Sequence, residues 1–401
     1  MILNNINKKQ FYAVYIFKLL FILAIVTLIV YYYVNTSARS QLWLKTYPIR
    51  AELSVANINC SDGSPAWLAD MLKYQTRHNN APANQIAYID SRDNLYHCEN
   101  GYIGQYPLLS DSVTEQTRFR YASITKLWTS DAVLSLIKNG KLSLDTKLHT
   151  IITEIDSPKD TRINDITIRQ LLLHRAGFDR YSMFGQDMFG IGKDICPNHL
   201  DGLNDIELGF EPGRKTSYSN LGYCLLGEVI SRLNDQPYTD VIAQQYNFAD
   251  STLQFISDKP LADEVTYNYV ETGLTGYADI YTAFDYDALA SAAGLSGNAV
   301  DLAEQVRTMA RRPAPNITSL NADVSCDSSQ IAEECYGYAM LSYKPNPQSA
   351  AVYYRDGSLL GLSTLVAIDE SGSVVALLSN GTPNNRVDNN VKIKIYEHLN
   401  R

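Results

Sequence analysis

A serine hydroxyl and a lysine amine stand three residues apart in Ser123-Ile-Thr-Lys126. A helical pattern runs from Ser123 to Asn139, with Leu127, Val133, Leu134 and Ile137 on its buried side and Gly140 as its stop. Residues at i and i+3 share a helix face, so the amine can reach the hydroxyl. A serine hydroxyl is a poor nucleophile until a base takes its proton. Lysine is that base only where burial or neighbouring cations lower its pKa. The start of the helix adds positive potential and backbone N–H groups suited to an oxyanion. The tetrad is a weak signal by itself, because serine at a helix start is usually just a cap.

Tyr218-Ser-Asn220 lies inside the run Phe210-Glu-Pro-Gly-Arg-Lys-Thr-Ser-Tyr-Ser-Asn-Leu-Gly-Tyr223. A phenol passes protons if cations hold it partly ionised, and an amide can dock a substrate carbonyl. Alone, the tripeptide reads as a turn capping the next helix. Arg355-Asp-Gly-Ser358 is the third element. Its cation could hold a carboxylate or bias the pKa values of a tyrosine and a lysine, and Gly357 lets backbone approach a ligand closely. Alone, it reads as an exposed turn. His174 is read as a helix-end residue with a structural hydrogen bond, not as a base.

The elements that must position these residues follow from the pattern. Ile86–Ile89 and Asn94–Cys98 form a hairpin joined by Asp90-Ser-Arg-Asp93. Thr167 caps a short helix from Ile168 to Arg175, closed by Gly177. The helix from about Asn220 to Leu233 is apolar nearly all round and should be deeply buried. Leu362–Ile368 and Ser373–Leu378 are strands joined by the turn Asp369-Glu-Ser-Gly372, and a last helix covers Asn389–Leu399. Strands at both ends with helices between predict an α/β (α+β) fold. An antiparallel sheet is completed by the two chain ends and flanked by helices, with a mostly helical inserted subdomain.

The 401 residues are 45% hydrophobic and 19% charged, which is globular composition with a substantial core. A net charge of -9 without a basic stripe argues against nucleic acid as a partner. The six histidines are scattered without ligand spacing, so neither a metal nor a cofactor is expected. Lys8 and Lys9 precede an apolar run from Phe11 to Val34 broken only by Lys18. That length suits one transmembrane signal anchor more than a cleaved signal peptide, although Ser37-Ala38 keeps cleavage open. The expected organisation is a cytoplasmic tail 1–10, a span 11–34, a linker 35–60 and a catalytic domain 61–401 outside the cytoplasm. An exported domain allows disulfides. Cys326 and Cys335 could close a polar loop, while Cys224, in an apolar helix, is expected as a buried free thiol.

Taken in order, the three chemical elements resemble the serine β-lactamase and penicillin-binding-protein superfamily. The likeness extends to Thr117–Lys126, Asn139–Asp145, Ile166–Gly177, Ala293–Leu302 and Gly357–Ser363, and covers roughly residues 82–400. Tyr-x-Asn in place of Ser-Asp-Asn points to the class C branch, which also holds D-aminopeptidases, carboxypeptidases and esterases. The resemblance implies a β-lactamase/transpeptidase-like fold. It implies that Ser123 forms an acyl-enzyme, that Lys126 and Tyr218 share general-base duty, and that Asn220 contacts the substrate amide. The backbone N–H groups of Ser123 and Ser358 would form the oxyanion hole.

One departure stands out. The third motif usually runs Lys or His, Ser or Thr, then Gly, whereas this chain has Arg355-Asp356-Gly357. Asp356 places an anion where a neutral hydroxyl is expected. It should either point toward the place of a substrate carboxylate or pair with Arg355 or another cation, and both weaken carboxylate capture. The expected activity is therefore that of a membrane-anchored serine hydrolase acting on an ester, D-peptide or other small-molecule or peptide amide, more than that of a β-lactamase. The alternative is a catalytically degenerate binding module of the cell envelope.

Overall fold

The computed structural model describes residues 2–104, 107–180, 187, 195–267, 280–320, 336–344, 346, 348–381 and 389–399. The strands are β1 (Asn59–Cys60), β2 (Asn84–Ile89), β3 (Leu95–Asn100), β4 (Phe119–Arg120), β5 (Gln254–Phe255), β6 (Leu295–Gly297), β7 (Leu341–Tyr343), β8 (Val352–Leu359), β9 (Leu362–Asp369) and β10 (Val374–Ser379). The helices are α1 (Ile2–Val34), α2 (Thr36–Ala56), α3 (Ala66–His78), α4 (Lys126–Lys138), α5 (Ile168–Leu172), α6 (Asn220–Asn234), α7 (Tyr238–Gln245), α8 (Tyr286–Ala293), α9 (Ala299–Ala310) and α10 (Asn389–Leu399).

The seven-stranded sheet has the order β1-β3-β2-β10-β9-β8-β7. All its neighbouring pairs are antiparallel. N-terminal and C-terminal strands meet where β2 pairs with β10, as the ends-together reading expects. β9 and β10 are buried on both faces because their side chains alternate between two cores. Val366, Ile368, Ala376 and Leu378 pack with Leu302, Ala303 and Val306 of α9. Leu365, Ala367, Val375 and Leu377 pack with Leu68 and Leu72 of α3 and with Val391 and Ile395 of α10. Strands covered on both faces read as continuous apolar runs, which is why these two were legible. The three-stranded sheet β4-β6-β5 in the inserted region was not expected.

The short helix after Thr167 ends at Leu172 rather than at Arg175. Thr167 does form a full capping box with Gln170. His174 then takes a left-handed backbone, with φ 55°, which no helix continues.

At the N-terminus, α1 contains an apolar stretch from Tyr12 to Tyr32, 21 residues, long enough to cross a membrane and buried against nothing. The segment expected as a linker is helical over Thr36–Ala56, and its later half packs on the domain. Tyr47 and Ala51 are buried there. The Tyr47 hydroxyl donates to the Thr76 carbonyl at 2.5 Å, and Arg77 pairs with Glu52 at 2.8 Å.

The cysteines correct one expectation. Cys224 is not a free thiol: it is bonded to Cys196, and Cys60 is bonded to Cys98 across β1 and β3. An apolar helix hides a cysteine equally well in either state, and its partner comes from a segment far away in the chain. Cys326 and Cys335 lie outside the described residues.

Candidate active site

From Thr117 to Leu134 every residue is buried except Ser123, which is half-exposed. The chain leaves β4 and turns at Ala122, whose left-handed backbone, φ 50°, is unfavourable for a residue with a Cβ. Such local strain is tolerated where the surroundings fix it and a functional group must be aimed. A 3₁₀ turn, Ala122–Thr125, follows, and α4 begins only at Lys126. The expected helix from Ser123 thus starts later, and Ser123 caps nothing. In a 3₁₀ turn side chains at i and i+3 eclipse, which brings Lys126 Nζ to 3.3 Å from Ser123 Oγ.

Lys126 is wholly buried. Its Nζ donates to Asn220 Oδ1 at 2.8 Å and to the Ala292 carbonyl at 2.8 Å. It also lies over the rings of Tyr218 and Tyr223, at 4.9 and 5.4 Å. Burial holds its pKa well below the usual lysine range. The Arg355 and Arg180 guanidinium groups push it the same way, and Asp187 opposes them. A neutral lysine has two N–H bonds and one lone pair. Asn220 and Ala292 take the two N–H bonds, so the lone pair is left for Ser123 Oγ.

The structure brings Tyr218 and Asn220 to the same point. Tyr218 OH is 2.6 Å from Ser123 Oγ. Burial raises the Tyr218 pKa, against Arg355, the Ser123 hydrogen bond and Arg180, so the phenol stays protonated near neutral pH. Ser219 caps α6 by accepting from Gly222 N–H at 3.1 Å, which fixes the Tyr218-Ser-Asn220 turn. His174 is the structural residue expected. Its Nδ1 accepts from Ser219 N–H at 3.1 Å, which places its proton on Nε2. Its ring packs against Tyr218, Tyr223 and Tyr336, and burial keeps it neutral, well below the usual histidine range.

The third element is divided between two faces of β8. Arg355 stands opposite Val366 and Asp356 opposite Leu365, so the two side chains point to different cores. Arg355 is 1% exposed; its Nη1 donates to the Ala339 carbonyl at 2.7 Å, and its guanidinium lies over Tyr223 and Tyr336. Asp356 pairs with Lys392 of α10 at 2.6 Å. Of the two placements expected for it, pairing with another cation is the one found. Gly357 brings the strand against Ser123: a Cβ there would sit 2.6 Å from Tyr121 O and 2.9 Å from Ser123 N. No other residue fits, so glycine is required by the close approach. Ser358 is exposed, opposite Ser363 beside the hairpin turn.

Two residues near Lys126 carried no signal in the sequence reading. Arg180 lies 5.4 Å over the Tyr218 ring, and Asp187 is buried against the start of α6. Neither belongs to a recognisable motif, and only the folded chain brings them to the lysine.

Comparison with known proteins agrees with this geometry. Residues 101–399 match the family model described as Beta-lactamase. The chain is 33% identical over 361 residues to "Probable fimbrial assembly protein FimD, serogroup H1" of Dichelobacter nodosus, covering 88% of this chain and 89% of that protein. Among solved structures, D-amino acid amidase from Ochrobactrum anthropi SV3 is similar, with a TM-score of 0.65 and 17% identity, covering 83% of this chain and 96% of that one. EstCE1, a hydrolase with promiscuous acyltransferase activity, is similar too, with a TM-score of 0.64 and 18% identity, covering 89% of this chain and 99% of that one. The serine, lysine and tyrosine meet on a sheet built from both chain ends and the family model spans most of the chain: the protein belongs to the β-lactamase family.

Proposed function

We propose that this protein is a membrane-anchored serine hydrolase that forms an acyl-enzyme on an ester or amide. The observation that carries the reading is the hydroxyl of Ser123 lying within reach of both a buried, uncharged-leaning amine and a phenol. In this reading Ser123 Oγ attacks the substrate carbonyl. Its proton passes to the Lys126 lone pair, directly or through the Tyr218 hydroxyl, and Tyr218 returns a proton to the leaving group. The Ser123 and Ser358 N–H groups receive the developing oxyanion. Water then enters by the same route in reverse and releases the acid.

Uncharged esters and amides suit this cleft better than penicillins. The third-motif cation is buried beneath Tyr223 and Tyr336 with one nitrogen already engaged, so it offers a substrate carboxylate little. The test is labelling of the purified protein with a fluorophosphonate and with a fluorescent penicillin, the adduct being located by mass spectrometry. The expected result is an adduct at Ser123, formed faster by the fluorophosphonate. No adduct at Ser123 from either reagent would sink the reading.

A second reading is a non-catalytic module of the cell envelope, and the likeness to FimD favours it. The same labelling separates the two, since a binding module leaves Ser123 unmodified.

The apolar stretch of α1 and the two disulfides support anchoring in the cytoplasmic membrane with the domain in the periplasm or outside the cell, where thiols oxidise. A C-terminal reporter that works only after export is expected to be active; activity from a reporter that works only in the cytoplasm would refute this topology.

A further inference from the structure

Asp187 belongs to none of the motifs that carry the chemistry, yet its side chain is fully buried. Its Oδ1 accepts from the Ser219 hydroxyl at 2.7 Å, from Asn220 N–H at 2.7 Å and from Leu221 N–H at 3.1 Å. A helix leaves its first four N–H groups without internal partners. In α6, Asp187 meets those of Asn220 and Leu221, and Ser219 meets that of Gly222. A carboxylate also suits the positive end of the helix.

Its main chain does something more specific. The Asp187 carbonyl accepts from Asn220 Nδ2 at 3.1 Å. An amide has two donors at one end and an acceptor at the other. With the nitrogen end tied to a carbonyl, Asn220 presents Oδ1 to Lys126, which donates to it at 2.8 Å. If the amide turned over, it would offer Lys126 a donor. The amine would then have to answer with its lone pair, the same lone pair that faces Ser123.

We propose that Asp187 is a positioning residue that fixes the amide of Asn220, so that Asn220 takes one Lys126 N–H and the Lys126 lone pair stays directed at Ser123. The inference deepens the serine hydrolase reading and rests on it. Among the described residues, the charged and titratable groups around Lys126 are Arg355 on β8, Arg180 after α5, His174, Tyr218, Tyr223 and Asp187 itself. Asp187 is the anion among them, so its charge also favours the protonated amine.

Two variants separate positioning from plain capping. Both keep the main-chain carbonyl and act on the side-chain bonds to Ser219, Asn220 and Leu221 that hold it beside Asn220: Asp187→Asn keeps an acceptor oxygen for the helix start and removes the charge, and Asp187→Ala removes both. With a neutral ester, kcat of Asp187→Ala is expected to fall by about 10²-fold with KM little changed, the usual cost of small misplacements. Asp187→Asn should recover the melting temperature and most of kcat. The second readout is the Nζ titration of Lys126 in the ¹⁵N-lysine-labelled full chain in detergent, assigned with Lys126→Met. Its midpoint should fall in both variants through the lost anion, and further in Asp187→Ala, where the released amide no longer holds its oxygen toward Lys126. An Asp187→Ala protein with a lowered melting temperature but wild-type kcat, and a Lys126 midpoint equal to that of Asp187→Asn, would make Asp187 a cap and a charge only and overturn the inference. The titration needs no substrate. If the wild type turns over nothing, the hydrolase reading fails, and the difference between the two variants' midpoints still decides the role of Asp187.

Discussion

Ser123→Ala is expected to abolish covalent labelling and to lower turnover of every substrate on the order of 10⁴-fold or more, as loss of a nucleophile does elsewhere. The fold should survive. Ser123 caps no helix and is half-exposed, and among the described residues its hydroxyl bonds to Tyr218 and Lys126. Losing these two bonds costs on the order of 1–3 kcal/mol, small enough to leave the fold intact. The measurements are kcat/KM on a neutral ester, fluorophosphonate labelling, and a thermal melt on the same preparation. A folded Ser123→Ala protein that still turns over wild-type substrates at wild-type rates would show that the nucleophile lies elsewhere.

The second large effect belongs to Lys126. Removing the base is expected to lower kcat by about 10²–10⁴, the usual contribution of acid–base catalysis. Two substitutions make the result readable. Lys126→Arg keeps a cation that cannot lose its proton near neutral pH. It also places that permanent charge, in a larger side chain, beside Arg355 in a fully buried site, so a lower melting temperature should accompany the lost rate. Lys126→Met is close in shape and neutral. It leaves Asn220 Oδ1 and the Ala292 carbonyl without their donor, so some melting temperature is lost here too, but no buried charge is added, and as much rate should be lost. The sign of the pH dependence follows from the lowered lysine pKa. In the proposed mechanism the working amine is the neutral one, so wild-type kcat/KM should rise with pH on a limb below the ordinary lysine range. It should fall as acid protonates Lys126, and that limb should vanish in Lys126→Met. Near-wild-type rates in Lys126→Met would leave Tyr218 as the only credible base.

Much of this protein is determined locally. Alternating or continuous apolar runs mark β9 and β10 because both cores press on them, and the turn Asp369–Gly372 has its residues in place. The capping box at Thr167 and the Ser219 cap of α6 are satisfied within a few residues. The order of Ser123, Lys126, Tyr218, Asn220 and Arg355 along the chain was enough to indicate the family, since each sits in a short segment with a fixed local shape.

What required the tertiary structure is everything set by neighbours distant in sequence. The partner of Cys224 is 28 residues away, in a segment with no periodic pattern of its own. Asp187 reaches Asn220 from 33 residues away. The opposite placement of Arg355 and Asp356 needs the register of β8 on β9, because adjacent residues of a strand face opposite sides and only the partner strand says which side is the cleft. The altered motif therefore announced an anion near the site, and the fold decided that this anion pairs with Lys392 on α10 while the cation goes inward beneath the tyrosines. The lysine's chemistry has the same origin. A lysine in water is a cation, and it is enclosure among α4, α6, α8 and β8 that lowers its pKa, as the proposed base role requires.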